Sequence, residues 1–195
     1  MVMAQSLFRV LNQREPERAF DVLAPKWSLP IVARMPEIRN GIASETAHGE
    51  IGLRKRWRIA TALRETAYER AIVLPRSFKS ALIPWFAGIP ERTGYRGESR
   101  YRLVNDVRPF DRNVLDQTVK RFVALGLDIG ESLPDELPNP SLRVSPENQV
   151  RVMQELGVTD ERPIVAMMPG AEYGPAKCWP HAYFGELANM LDDSG

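Results

Sequence analysis

Short apolar runs alternate with amphipathic helical patterns along this 195-residue chain, and this alternation constrains its fold more than any other feature. Short apolar runs are typical of buried strands, whereas apolar residues at positions i, i+3, i+4 and i+7 indicate a helix that packs on one side. The predicted strands cover about residues 19–23, 38–43, 71–74 and 163–168. The predicted helices cover about residues 1–12, 29–34, 52–67, 114–125, 147–156 and 180–191, and the segment 76–80 leads into a further short helix. This order predicts an α/β fold with a doubly wound, Rossmann-like parallel sheet.

The helical pattern over residues 52–67 carries a clear apolar stripe. Its members are Leu53, Trp57, Ala60, Leu63 and Ala67. Basic residues lie off the stripe, so we expect the stripe to pack into the core and the basic side chains to face solvent.

A junction near the end of the chain has the features of a phosphate-binding site. The apolar run 163–168 leads into the loop 169–180, which carries Lys177, and then into a helical pattern. Free N–H groups at a helix N-terminus, together with a lysine ammonium, attract an anion at the end of a strand. The junction therefore predicts a site for a nucleotide or a sugar phosphate.

Basic residues concentrate in the segment 76–112. This segment holds eight arginines and lysines against four acidic residues, although the net charge of the whole chain is only +1. A local excess of positive charge steers an anionic partner toward that surface. The segment is either such a binding surface or an ordinary solvated face, and the sequence leaves both readings open.

The cysteine and histidine content excludes several classes of protein. One cysteine cannot form an intramolecular disulfide, and the two histidines are isolated, so no cluster has the spacing of a metal site. These features favour a cytoplasmic protein and give no support to metal catalysis. The longest apolar segment, residues 81–89, is too short to cross a bilayer as a helix.

A domain boundary is predicted near residue 159, which gives an N-terminal domain over 1–158 and the beginning of a second domain over 159–195. The second segment has one strand, one loop and one helix, too few to bury a core. The first domain opens with a helical pattern where a doubly wound sheet normally opens with a strand. We therefore expect its first strand to be absent and the chain to be marginally stable.

Four longer motifs occur in order along the chain. They are Met-Ala-Gln-Ser-Leu at 3–7, Leu-Pro-Arg-Ser-Phe-Lys-Ser-Ala-Leu at 74–82, Phe-Ala-Gly-Ile-Pro-Glu-Arg-Thr-Gly-Tyr-Arg-Gly-Glu at 86–98 and Pro-Gly-Ala-Glu-Tyr-Gly-Pro-Ala-Lys-Cys-Trp-Pro at 169–180. Together they resemble the lipopolysaccharide heptosyltransferase II family, a group within glycosyltransferase family 9. Four ordered motifs are far more specific than a lone glycine-rich pattern.

The resemblance implies a two-domain glycosyltransferase of the GT-B type. Such an enzyme transfers L-glycero-D-manno-heptose from ADP-heptose, its donor substrate, to the inner core of the lipid A-linked oligosaccharide. It implies donor-phosphate contacts by Lys177, Tyr173 and Glu172, with Lys177 stabilising the departing diphosphate. The catalytic Asp of the family would immediately precede Met1 in this alignment. We therefore expect no catalytic residue within the chain and no activity of this fragment by itself.

The resemblance also implies an acceptor rich in carboxylate and phosphate, and four basic residues near the predicted strand-end loops are candidates to bind it. They are Lys79, Arg92, Arg96 and Arg100. Arginine donates a planar fork to carboxylate or phosphate, and surface salt bridging is the alternative for each residue. The pair Trp85 and Phe86 either packs in the core or contacts the cytoplasmic face of the inner membrane.

Other classes of protein fit the sequence less well. A Rossmann oxidoreductase needs Gly-x-Gly-x-x-Gly and a P-loop enzyme needs Gly-x-x-x-x-Gly-Lys-Ser/Thr, and the chain has neither spacing. Two alternatives stay open: an enzyme that adds the first heptose to Kdo, and a non-catalytic α/β domain that binds anions or nucleic acid. The basic segment lacks the interleaved surface aromatics of a nucleic-acid binder, so we expect no nucleic-acid partner.

Overall fold

The computed structural model describes residues 1–45, 51–158, 163–171 and 174–193 of the chain. The chain divides into two compact units, Met1–Ser145 and Pro146–Gly195. The domain boundary predicted near residue 159 lies outside the described residues.

The first unit contains two parallel β-sheets. Strand β1 (Phe20–Pro25) pairs with β2 (Ile38–Ser44). The second sheet has the order β3 (Arg70–Val73), β4 (Glu91–Tyr95) and β5 (Asp106–Arg108), and both of its pairings are parallel. Helical segments connect β1 to β2, β2 to β3 and β3 to β4, whereas β4 leads to β5 through the irregular segment 96–105. The predicted α/β fold with parallel sheets is confirmed.

Helices fall close to the positions that the periodicity predicts. Those of the first unit are α1 (Gln5–Arg14), α2 (Leu29–Val32), α3 (Leu53–Arg64), α4 (Leu82–Ala87) and α5 (Thr118–Ala124), and those of the second are α6 (Pro146–Glu155) and α7 (His181–Asp193). Helix α4 ends at Gly88, whose φ of 75° belongs to the left-handed region that glycine adopts without steric cost.

Helix α1 organises the main core of the first unit. Leu7 and Leu11 of α1 are buried and pack in one cluster with Val22 of β1. Ile72 of β3 and Leu74, just beyond that strand, pack against the same cluster. The two sheets therefore share a core through their side chains, although no backbone hydrogen bond among the described residues joins one sheet to the other.

The apolar stripe predicted for α3 is only partly buried, which corrects the expectation that the whole stripe is core. Ala60 is fully buried, whereas Leu53 and Trp57 are 55% and 51% exposed, and Ala67 lies beyond the helix and is exposed. The side of α3 that faces inward instead carries Arg56, which is 5% exposed. Its Nη1 donates to the carbonyl oxygen of Lys79 at 2.9 Å, so a hydrogen-bonded arginine takes an inward position that periodicity assigns to an apolar residue.

The strand predicted over residues 163–168 is wrong. These residues have no regular secondary structure, and Ile164, Val165 and Met168 are 60%, 59% and 87% exposed. A strand is stable only when a neighbouring strand satisfies its backbone groups, and the described residues of the second unit include no other strand. An apolar run specifies a strand only where a sheet is available to receive it.

Candidate anion-binding site at the strand ends

The three parallel strands of the second sheet end at one edge, and the residues that follow them come together there. Pro75 and Arg76 follow β3, Arg96 follows β4, and Pro109 follows β5. Ligands of open α/β sheets bind at this carboxyl edge, because the loops there are free of the helix packing that covers the sheet faces.

A cleft of about 610 Å³ lies at this edge. It is lined by Arg76, Arg96, Val107, Arg108, Pro109, Phe110 and Arg112. Four guanidinium groups therefore surround one concave surface, with an aromatic ring and aliphatic groups between them. A surface of this composition suits a polyanionic ligand that also has apolar sugar faces.

The ring of Phe110 forms the packed base of this arginine cleft. The guanidinium of Arg76 lies 4.8 Å from the ring centroid, in cation–π geometry. On another side, Phe110 meets the ring of Tyr95 edge-on, with centroids 5.1 Å apart. Tyr95 is buried, and its hydroxyl donates to the carbonyl oxygen of Arg121 at 2.6 Å. Burial raises the pKa of Tyr95 to about 12, so this hydroxyl stays neutral and adds no negative charge beneath the cleft.

The arginines of the cleft differ in how their charge is balanced. Arg108 forms an ion pair with Asp106 at 2.8 Å and also donates to the carbonyl oxygen of Leu127. The ion pairs among the described residues include none of the other three cleft arginines. The cleft therefore retains a net positive charge of about +3, which favours an anionic ligand.

The structure separates the four predicted acceptor residues. Arg96 lines the cleft, and its Nη2 lies 3.3 Å from the hydroxyl of Tyr101. Lys79 lies half-buried in the short 3-10 turn Phe78–Ala81 and does not line the cleft.

Arg92 and Arg100 turn their guanidinium groups toward backbone carbonyls rather than toward the cleft. Arg92 Nε donates to the carbonyl oxygen of Leu103 at 2.7 Å. Arg100 is 3% exposed and donates to the carbonyl oxygens of Pro75 and Tyr95. Burial, and next the nearby charge of Arg76, lower the pKa of Arg100 from its usual high value. These contacts give both arginines a structural role, and a direct contact of either with an acceptor stays a prediction.

The sequence pattern of the basic segment does not single out Arg76, Arg108 and Arg112 as site residues. A signal was available for Arg76, which follows the predicted strand 71–74 after a proline. Arg108 and Arg112 can be assigned to the site only when the position of β5 is known. That strand has three residues and no apolar pattern, so the sequence does not reveal it.

The loop predicted to bind donor phosphate is described in part. Glu172 and Tyr173 lie outside the described residues. Lys177 is exposed in a 3-10 turn, Pro175–Lys177, and its backbone N–H donates to Gly174 at 3.2 Å. Helix α7 begins at His181, and Trp179 packs against Tyr183 and Phe184 of its first turn. A phosphate contact by Lys177 stays a prediction.

The described residues offer neither a cluster of metal-binding side chains nor a membrane-spanning helix. They include no group of three or more histidine, cysteine, aspartate or glutamate side chains that could hold a metal ion. None of the described helices has both the length and the apolar character needed to span a bilayer.

Comparison with solved structures defines the class of the fold. The chain superposes with a TM-score of 0.89 on the structure of Escherichia coli ADP-heptose lps heptosyltransferase II, at 45% identity, covering all of this chain and 58% of that one. A family 9 glycosyltransferase from Veillonella parvula gives a TM-score of 0.85 at 14% identity, a likeness of fold only. The fold is therefore that of a GT-B glycosyltransferase.

Sequence comparison places the chain within that class. Residues 56–195 match the family model of glycosyltransferase family 9 (heptosyltransferase), and the chain belongs to this family. Similar proteins include lipopolysaccharide heptosyltransferase 2 of Escherichia coli, 46% identical over 200 residues, and lipooligosaccharide heptosyltransferase 2 of Haemophilus ducreyi, 43% identical over 202. The chain spans 58% of the length of these relatives, and the family resemblance seen in its four motifs is confirmed.

Proposed function

We propose that this chain carries the acceptor side, and the beginning of the donor side, of a heptosyltransferase of lipopolysaccharide synthesis. The reaction moves L-glycero-D-manno-heptose from ADP-heptose to the inner core, as the second heptose. The observation that carries this proposal is the arginine cleft at the carboxyl ends of β3, β4 and β5, in a chain of glycosyltransferase family 9. The names of the relatives support the choice of sugar and of position.

The chemistry of the cleft fits an inner-core acceptor. Such an acceptor carries the carboxylates of Kdo and phosphate groups, and guanidinium groups bind both with paired hydrogen bonds. Arg76, Arg96 and Arg112 would hold the acceptor anions, while Phe110 and Pro109 offer apolar surface to a sugar ring. Binding at several points fixes the acceptor hydroxyl for attack on the anomeric carbon of the donor.

Lys177 would act on the donor side. When the acceptor hydroxyl attacks, it gives its proton to a general base, the bond from the anomeric carbon to the diphosphate breaks, and negative charge develops on the departing ADP. A lysine ammonium beside that diphosphate stabilises the leaving group. The proposal includes Tyr173 and Glu172 as further donor contacts, and it needs no cofactor beyond the donor substrate.

Calorimetric titration of the chain with a deacylated core oligosaccharide tests the acceptor proposal. We expect R76M/R96M to weaken binding about 10- to 100-fold, because each substitution removes a charge-assisted contact. K26M/R54M removes two exposed cationic groups elsewhere and should leave the affinity nearly unchanged. Equal losses in the two variants would show that general charge, rather than the cleft, binds the oligosaccharide.

The ligand panel of the same experiment separates the alternative functions. An oligosaccharide that already carries the first heptose should bind more tightly than one that ends in Kdo. The reverse order would favour a first-heptose enzyme. Oligonucleotides at physiological salt should not compete, and competition at that salt would favour a nucleic-acid-binding domain.

We further propose a cytoplasmic location with peripheral contact between the protein and the inner membrane. Leu53, Trp57 and Trp85 are about half exposed on α3 and α4, and the ring of Phe86 joins the two tryptophans, with centroids 5.2 Å from each. Exposed tryptophans beside basic residues favour an anionic lipid interface.

Co-sedimentation of the chain with vesicles that contain phosphatidylglycerol tests this contact. We expect W85S to reduce the bound fraction severalfold, because it removes an interfacial ring. W27S is the control, since Trp27 is 77% exposed but lies in a different part of the first unit, next to β1. A bound fraction that does not change in W85S would contradict the proposed surface.

A further inference from the structure

Arg100 is a buried arginine in the connection between β4 and β5. It is 3% exposed and does not line the arginine cleft. A buried guanidinium is stable only where hydrogen bonds replace its hydration. The partners of Arg100 therefore indicate what its burial achieves.

The two short hydrogen bonds go to backbone carbonyls at the ends of two neighbouring strands, and a longer one joins Nη1 to the hydroxyl of Ser80 at 3.4 Å. Nη1 donates to Pro75, just after β3, at 2.6 Å, and Nη2 donates to Tyr95, the last residue of β4, at 2.5 Å. The residues that follow these two carbonyls are Arg76 and Arg96, and both line the cleft. A single planar guanidinium thus joins the two positions from which two cleft arginines project.

The contacts beyond this bridge leave the two loops little room to separate. Arg76 Nε donates to the carbonyl oxygen of Arg96 at 3.2 Å, and the N–H of Glu98 donates to the carbonyl oxygen of Arg76 at 3.2 Å. At Gly97 a Cβ atom would lie 2.1 Å from that same carbonyl oxygen, so only glycine allows this approach.

Arg100 remains in place although one of its donors is unsatisfied. Its Nε is buried and has no hydrogen-bond partner among the described residues. A buried donor without a partner is unfavourable, so the two carbonyl bonds must offset that cost. Lysine has no planar fork and cannot reproduce both bonds with the same geometry.

We propose that Arg100 is a positioning residue that sets the spacing of Arg76 and Arg96 for the two anionic groups of an acceptor. This inference rests on the proposed acceptor function of the cleft and deepens it. In this proposal Arg100 acts through the two strand-end loops, and its guanidinium is directed at backbone carbonyls rather than at the acceptor.

A mutant cycle tests the proposal, with the deacylated core oligosaccharide as the probe and calorimetry on the whole chain as the measurement. We expect R100M to weaken binding about tenfold in the wild-type background. In the R76M/R96M background the same substitution should have no further effect, because the residues through which it acts are gone. An equal loss in both backgrounds, or no loss in either, would overturn the proposal.

Two further variants separate positioning from charge and from folding. R102M removes an exposed cation two residues away and should leave affinity within about twofold, because exposed charges are well screened. R100K keeps the charge but not the fork, and it should bind nearly as weakly as R100M. Wild-type affinity in R100K would show that charge alone matters.

Hydrogen exchange provides a readout that does not depend on the ligand. In R100M and R100K the amide of Glu98 should lose protection about tenfold or more, while amides of β1 and β2 keep theirs. Unchanged protection of Glu98 would overturn the positioning role even if affinity fell. The wild-type chain could fail to bind the oligosaccharide while the Glu98 amide loses protection in R100M and R100K. That result would contradict the acceptor function but would support the role of Arg100 in holding the two loops together.

Discussion

At the scale of single residues, Gly97 shows how closely the loops at the cleft approach each other. A methyl group at this position would lie 2.1 Å from the carbonyl oxygen of Arg76, a backbone atom that cannot move without shifting its loop. We expect G97A to lower the free energy of unfolding by about 1–3 kcal/mol, as overpacking does elsewhere. Urea unfolding followed by circular dichroism measures this change. Stability equal to that of the wild type would show that the loop relaxes freely.

Because of Tyr95, the free energy of unfolding should depend on pH in the alkaline range. Its pKa is raised by burial to about 12, from an ordinary value of 10.0. The folded state therefore binds the phenolic proton more tightly than the unfolded state, and the stabilisation is lost as the pH rises from about 10 to about 12. Y95F lacks this proton, so the stability difference between wild type and Y95F should shrink over that range. Unfolding curves at pH 9 and 11.5 test this, and a constant difference would contradict it.

At the scale of elements, α3 shows which positions of an amphipathic helix are buried. Ala60 is fully buried, whereas Ala62, two residues along the same helix, is exposed. A60L should lower the free energy of unfolding by about 1–3 kcal/mol, because the extra volume has no space at a fully buried position. A62L is the matched control and should change it by less than about 0.5 kcal/mol. Equal effects in denaturant unfolding would show that the helix face is assigned wrongly.

The elements also show how far the sequence could predict the fold and the site. Helices α1 and α3 and strands β1 to β3 have a local signal, a helical period or a short apolar run, and were predicted close to their observed positions. Strands β4 and β5 have none, because Glu91, Arg92 and Gly94 interrupt one and the other has three residues. Their strand character comes from pairing, of β4 with β3 and of β5 with β4, which is long-range information.

The candidate site was predictable to the same degree. An excess of positive charge over residues 76–112 is visible in the sequence, and the cleft is lined from within that segment. Which arginines face the ligand depends on where β4 and β5 end, and the sequence pattern does not show this. Arg100 and Arg96 are similar in sequence context, yet one is buried under the loops and the other lines the cleft.

At the scale of the whole molecule, the two units bury their apolar residues very differently. The first has several clusters of buried side chains, among them Leu7, Val104 and Val123. Neither α6 nor α7 of the second unit has a buried residue in its described part, and Leu156 and Met190 are 70% and 69% exposed. Burial of apolar surface provides most of the driving force of folding, so the second unit has little stability of its own.

This contrast predicts unfolding that is not two-state. In hydrogen exchange at neutral pH, we expect amides of α6 and α7 to exchange at close to the rate of an unfolded chain, while those of α1 and β4 are protected by orders of magnitude. In a thermal scan, fluorescence of Trp179, measured with the other three tryptophans replaced by phenylalanine, should change before the far-ultraviolet dichroism does. The same chain with all four tryptophans replaced gives the fluorescence baseline. Coincident transitions, together with protected amides in α7, would show that both units unfold as one cooperative structure, and marginal stability of the second unit would then be wrong.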